Sequence, residues 1–296
     1  MTPTSADRER HGTAATPARP IAARATTVIT ATARKIAARA STAIGGVFAR
    51  VHPSPIIILG NQKSGTTAIA ALLSEMTGLS ATLDLKKEMK NPVIDRVKTG
   101  GLSMREFVGR NKLDFSRDMI KEPSLSPFFH ELAGEFPRAR FVMVIRDPRD
   151  NIRSILNRLK IPGSLAEIPA DERSRITRAW ELIIDGRWLG LDGKSYIEML
   201  AQRWNYIADL YLANPGRMIL VKYEDFSKDK TGTLHGLADT LGLEKKRDVS
   251  SRLDVQFQPA GDRSVRWNDF FGPQNLLAIE TICAGRMRSL GYPLSR

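Results

Sequence analysis

An apolar run, Pro55-Ile56-Ile57-Ile58-Leu59, leads into the loop Gly60-Asn61-Gln62-Lys63-Ser64-Gly65-Thr66, and Ile69, Leu72, Leu73 and Met76 follow at three-, four- and seven-residue spacing. That order reads as a buried strand, a tight glycine turn and an amphipathic helix. Such a turn aims several backbone N–H groups and a helix N-terminus at one point, where an anionic phosphate is stabilised. The lysine does not stand where an ATP-binding P-loop has it, because that motif, G-x-x-x-x-G-K-[ST], carries lysine after the second glycine. Here Thr66 and Thr67 follow Gly65, and Lys63 lies inside the loop. Its charge is therefore aimed at a different point on the ligand.

A second unit of the same kind comes later in the chain. Phe141-Val142-Met143-Val144-Ile145 is a β-branched-rich strand that ends in Arg146-Asp147-Pro148-Arg149-Asp150, and Ile152, Ile155, Leu156 and Leu159 line one face of the helix after it. Pro148 fits the first turn of that helix. Further strand-like stretches lie at 82–86, 119–123 and 217–223, and helical ones at 126–135, 171–184, 194–213, 231–241 and 273–290, with a polar loop running to about residue 262. Strands alternating with helices through short connections specify an α/β fold with a central parallel sheet covered by helices on both faces.

The Lys63-Ser64-Gly65-Thr66-Thr67 loop resembles the 5′-phosphosulfate loop of the sulfotransferases that use 3′-phosphoadenosine-5′-phosphosulfate (PAPS). Arg146-Asp147-Pro148-Arg149-Asp150, with Ser154 eight residues after Arg146, resembles the 3′-phosphate site of the same family. The resemblance covers residues 55–292. It implies a P-loop-like three-layer fold and transfer of a sulfuryl group from PAPS to an acceptor hydroxyl without a metal, releasing 3′-phosphoadenosine-5′-phosphate (PAP). By the same likeness Gly60, Lys63, Ser64, Gly65, Thr66 and Thr67 bind the 5′ end of the donor, and Lys63 stabilises the departing phosphate oxygen. Arg146 and Ser154 bind the 3′-phosphate. Tyr223, in Val221-Lys222-Tyr223-Glu224-Asp225-Phe226, is similar to a family tyrosine near the adenine, and Arg263 and Arg266 resemble a basic loop that closes over the 3′-phosphate. Ala68-Ile69 replaces the tryptophan that often follows the loop, so adenine packing has to come from elsewhere.

Lys86-Lys87-Glu88 resembles a segment of the carbohydrate-acting branch, which implies Glu88, at a strand end, as general base and a carbohydrate or glycolipid acceptor. Lys121, before Glu122-Pro123, resembles that branch's lysine near the transferring group. The insertion at 161–192, with Arg173, Arg175, Arg178, Trp180 and Trp188, reads either as an acceptor contact or as a helical cover over the sheet. Two other readings stay open: a P-loop nucleotide kinase, and a nucleotide-binding module without catalysis. The first requires a lysine after the second glycine and a magnesium carboxylate, and the second leaves Glu88 and Lys121 without a role.

Charge fits an anionic donor. The chain of 296 residues carries a net charge of +13. Eight basic residues stand against Asp7 and Glu9 in the first 50 residues, so +6 lies there and +7 on the rest. A basic body favours anionic ligands, but no nucleic-acid recognition signature accompanies it. Residues 1–50 read as a disordered or weakly amphipathic basic extension before a domain at 51–296. Within it, 18–50 allows weak contact with a membrane surface, an organelle transit peptide or a loosely held tail. No apolar stretch reaches the roughly 18 residues of a spanning helix, so the expected location is cytoplasmic, or peripheral at the inner face of a membrane. Cys283, the only cysteine, excludes an intramolecular disulfide and reads as core.

Overall fold

A computed structural model describes residues 49–258 and 264–294. The expectations for residues 1–48 and for Arg263 lie outside the described residues. Five strands, β1 (Ile56–Gly60), β2 (Ala81–Thr82), β3 (Met119–Lys121), β4 (Arg140–Ile145) and β5 (Met218–Lys222), form one sheet in the order β2-β3-β1-β4-β5. Every pairing is parallel. The principal helices are α1 (Thr66–Thr77), α2 (Lys86–Lys90), α3 (Pro148–Leu159), α4 (Tyr196–Leu212), α5 (Lys230–Thr240) and α6 (Trp267–Ser289, broken at Gly272).

Strand periodicity divides the core in two. Ile57, Leu59, Met143 and Ile145 pack on one face with Ile152, Ile155 and Leu156 of α3, Trp204 of α4 and Ile279 of α6. Ile56, Ile58, Val142 and Val144 pack on the other with Ile69, Leu72 and Leu73 of α1 and Leu234 and Leu237 of α5. Successive residues of a strand point to opposite faces, so a central strand buried on both sides reads as a continuous apolar run. That is the pattern of 55–59 and 141–145, and the sheet with helices on both faces follows.

Parallel register brings several strand ends to one edge. Gly60 lies opposite Val144, Ile145 opposite Lys222, and Lys121 opposite Ile58. The Lys63 loop, Arg146, Tyr223 and Lys121 therefore all leave the sheet at its C-terminal edge, where open α/β sheets bind their ligands. Ser126 fastens the first of these ends: its Oγ accepts from Gly60 N at 2.8 Å and donates to Gly60 O at 2.9 Å.

The 82–86 stretch departs from expectation. Only Ala81–Thr82 is strand, and Lys86–Lys90 is a short helix. The 171–184 helix divides into Ala170–Arg173 and Arg178–Ile184, and a helix at Tyr223–Lys228, not expected, follows β5 directly. Cys283 is buried in the core, as its apolar face requires. Trp188 stacks on Phe128 and donates Nε1–H to Leu182 O, while Arg178 pairs with Asp95 at 2.8 Å. These contacts make that part of the insertion a packed cover.

Arg149 ties the second phosphate-loop helix to the end of the chain. Its guanidinium, 1% exposed, pairs with Asp147 at 2.6 Å and Glu280 at 2.7 Å, donates to Pro293 O at 2.8 Å and stacks over Trp267 at 4.0 Å. Removing one member of a buried pair leaves uncompensated charge, at a cost of about 3–5 kcal/mol. Arg149→Met is expected to lower the unfolding free energy, read from a lower urea midpoint at unchanged m-value, by an amount of that order; a loss under about 1 kcal/mol would contradict the anchoring role.

Candidate active site

The turn after β1 takes its shape from two glycines and one strained lysine. At Gly60 (φ +148°) a Cβ would lie 2.4 Å from Val144 O, and at Gly65 (φ +90°) 2.2 Å from the ring of Tyr223. No larger residue fits either position. Lys63 adopts the left-handed region at φ 66°, rare for a side-chain-bearing residue. Its carbonyl accepts from Arg146 Nη1 at 3.1 Å, and Arg146 in turn lies 4.6 Å over the Tyr223 ring. Gly65 occupies the N-cap of α1 with no side-chain cap. The loop thus presents a helix N-terminus to the cavity, with Lys63 on its rim.

That cavity is lined by Lys63, Gly65, Thr67, Arg146, Ser154 and Tyr223, so six of the expected donor-binding residues share one space. Arg153, Asn157 and Lys230 join them, together with Phe226, Leu253 and Phe257. The last three provide an apolar surface of the kind an adenine needs. Sequence reasoning missed them, because 243–262 reads as a polar loop and Phe226 as the tail of a motif. Gln258 bridges the site: its Oε1 accepts from Lys63 Nζ and its Nε2 donates to Thr67 Oγ1, both at 3.0 Å.

Other expected residues are placed differently. Gly60 is a strand residue fastened by Ser126. Ser64 and Thr66 are buried in the loop, with Ser64 Oγ accepting from Asn151 Nδ2 at 3.0 Å. They build the turn and do not line the cavity. Arg266 is exposed and pairs with Asp269 at 2.9 Å, away from the cavity lining.

Lys63 is half-buried, and its pKa is lowered first by burial and then by the charges of Arg158, Arg146 and Lys121. Lys121 therefore acts on Lys63 from the β3 side. Its side chain, 1% exposed, donates to Asp84 Oδ1 at 2.6 Å.

On the β2–β3 side of this end stand the carboxylates of Asp84, Glu88 and Glu122, and the last two accept backbone amides. Glu122 accepts from Leu85 N at 2.9 Å and Ser124 N at 3.0 Å, and burial raises its pKa. Glu88 is placed differently from expectation. It sits on helix α2, not at a strand end, and is 5% exposed. Its Oε2 accepts from Val93 N at 2.8 Å and Ile94 N at 3.2 Å, and burial raises its pKa against those bonds. Asp84, beside β2, is the third; its side chain is 34% exposed and its observed partner is Lys121. Asp84 has no prominence in the sequence, because a single aspartate after a two-residue strand has no pattern of its own.

Comparisons with known proteins agree with this architecture. Residues 87–247, more than half of the chain, match the model of the sulfotransferase family. Sulfotransferase STF9 from Mycobacterium avium is similar in structure, with a TM-score of 0.50 at 14% identity over 88% of this chain and 82% of its own. A sulfotransferase from Alicyclobacillus acidocaldarius gives 0.48 at 14% identity over 82% and 98%. Mouse sulfotransferase SULT7A1, solved with PAP, gives 0.46 at 14% identity over 82% and 88%. No curated protein sequence matches the chain. The family match begins after the Lys63 loop, so the loop and the matched segment, which contains Arg146, Ser154 and Tyr223, are separate signals pointing the same way. The chain belongs to the sulfotransferase family.

Proposed function

We propose that this enzyme transfers the sulfuryl group of PAPS to an alcohol-type hydroxyl, such as that of a carbohydrate or glycolipid. The observation that carries the donor reading is the single cavity in which Lys63 and Gly65 face Arg146 and Ser154. Arg146 and Ser154 hold the 3′-phosphate, the arginine through charge-assisted N–H···O bonds. The loop amides, Thr67 and Lys63 hold the 5′ end, and Phe226, Leu253 and Phe257 cover the adenine. Lys63 Nζ exchanges Gln258 for the bridging oxygen and stabilises the charge that develops there. A kinase needs its lysine after the second glycine, where this chain has Thr66.

The acceptor proton goes to Asp84. Glu122 spends both oxygens on backbone amides and Glu88, buried, accepts two of them on Oε2, whereas Asp84 is partly open to solvent and one ion pair away from Lys121. An alcohol is a weak nucleophile until it loses its proton, and a positioned carboxylate supplies that. As Asp84 takes the proton, Lys121 loses its counter-ion and leaves a positive charge next to the transferring group. The acceptor oxygen forms the new S–O bond while the S–O bond to the 5′-phosphate breaks.

Calorimetry in the presence of a chelator tests the donor site. PAP is expected to bind more tightly than ATP, and removing the 3′-phosphate is expected to weaken binding about 10- to 100-fold, the worth of a charged hydrogen bond. Equal affinity with and without the 3′-phosphate would remove the role given to Arg146.

Lys63→Ala is expected to abolish most turnover of labelled PAPS, with a much smaller loss of PAP affinity. In the wild type the active form carries the ammonium, present below the Lys63 pKa and lost above it. Because that pKa is lowered, turnover should decline on the alkaline side earlier than an ordinary lysine would dictate. An alkaline limb that survives in Lys63→Ala would belong to another group.

For the base, labelled PAPS with a panel of glycans, glycolipids and phenols provides the assay. Asp84→Asn should lower kcat on an alcohol acceptor by roughly 10²–10⁴-fold with PAP affinity kept. Glu88→Gln should chiefly lower the melting temperature. The reverse pattern would return the base to Glu88.

A further inference from the structure

Arg203, on α4, is buried without a carboxylate. It is 1% exposed, and among the described residues its hydrogen bonds are long ones to neutral oxygens: Nη2 to Gln62 Oε1 at 3.3 Å and Nη1 to Leu182 O at 3.5 Å. Its Nε has no partner, and among the described residues no acid pairs with it. Burial pushes its pKa down only to about 10, so the guanidinium is charged at neutral pH. Arg149, equally buried, has both Asp147 and Glu280. A buried cation without a counter-ion is costly and is normally eliminated or paired.

What Arg203 touches indicates its use. Gln62 is part of the Gly60–Gly65 loop and immediately precedes Lys63. Its side chain receives Arg203 on Oε1 and reaches Ser124 Oγ through Nε2 at 3.4 Å, while its backbone carbonyl accepts from Asn151 Nδ2 at 2.8 Å. The loop is thus held from behind by α3 and α4, and the hold from α4 is a positive charge. We propose that Arg203 is a positioning residue whose unpaired charge, set behind Gln62, strengthens the hold of the loop on the 5′-phosphate at the expense of the stability of the ligand-free fold. The counter-ion that the described residues lack is supplied by the 5′ end of the donor. This rests on the donor reading above and adds a residue to it.

Arg203→Met keeps the volume and removes the charge. Its melting temperature without ligand is expected to equal or exceed that of the wild type. Its affinity for PAP is expected to fall about tenfold, the size of one unit-charge interaction at an intermediate effective dielectric. Affinity for adenosine 3′-monophosphate, which lacks the 5′-phosphate, should stay the same. Arg203→Lys, which retains charge in the same space, should restore most of the PAP affinity. A variant that does not fold, or that loses affinity equally for both nucleotides, would show that Arg203 serves the fold and overturn the inference. So would an unchanged PAP affinity in Arg203→Met. A wild type that fails to bind PAP would overturn the donor reading itself, and this inference with it.

Discussion

The left-handed peptide at Lys63 is the constraint around which the site is arranged. A side-chain-bearing residue in that region costs of order 1–3 kcal/mol and persists only where its surroundings over-determine it. Here they do. Arg146 binds the Lys63 carbonyl, Asn151 binds the Gln62 carbonyl and the Ser64 hydroxyl, and Ser64 N donates to Asn61 O at 3.2 Å. Arg146 is itself fixed, because Trp204 Nε1 donates to its carbonyl at 2.8 Å and its guanidinium rests over Tyr223. Tyr223 fills the space a side chain at Gly65 would need. Three strand ends, from β1, β4 and β5, therefore lock one another, and the register of a parallel sheet makes that meeting possible.

The arginines of the domain divide by what neutralises them. Arg149 has Asp147 and Glu280, and Arg286 has Asp209 at 2.8 Å; both join helices to one another. Arg146 and Arg153 share Asp150, at 3.7 and 2.6 Å, and both line the cavity. Both guanidinium groups thus stand at the wall where the proposed 3′-phosphate lies. In a partly buried site their charge is screened less than it would be at the surface. Lys63, whose pKa is lowered by burial and by three cationic neighbours, stands at the opposite wall. A pocket that disfavours its own cations in this way is complementary to a ligand carrying phosphates at both ends.

How much of this was legible followed from how local each signal is. The strands around Ile57 and Met143, the helices after them and the loops between have their information in contiguous residues, with period and turn chemistry agreeing, and the structure reproduces them. Lys63, Gly65, Thr67, Arg146, Ser154 and Tyr223 meet because parallel register brings separate loops to one edge. By contrast, Phe257 and Leu253 reach the cavity from a segment with no periodicity, and only tertiary packing assigns them. The placement of Glu88 departs from expectation for a related reason. The resemblance put it at a strand end, but Asn91-Pro92 ends a short helix and turns the chain back so that Val93 and Ile94 offer their amides to the carboxylate. Arg203 was silent in the sequence, since an arginine on an amphipathic helix ordinarily reads as surface.

Strand order adds a last step. The sequence β2-β3-β1 places Asp84, Lys121 and the Lys63 loop side by side along one edge of the sheet. Under the proposed reading this row is also the order of events: proton acceptor, charge beside the transferring group, charge on the leaving oxygen. Neighbouring parallel strands lie about 4.8 Å apart, so the row spans two strand spacings, about the separation an in-line exchange between two oxygens requires once side-chain reach is added. The sheet thereby fixes the distance between acceptor and donor ends with main-chain hydrogen bonds, the least compliant part of the molecule. Under the same proposed reading, recognition of the rest of the acceptor falls to the edge beyond β2, where the regular structure is a two-residue strand and a five-residue helix. Sulfuryl transfer depends on positioning in the way phosphoryl transfer does, and a rigid donor end joined to a separate acceptor edge lets one chemistry be kept while the acceptor changes.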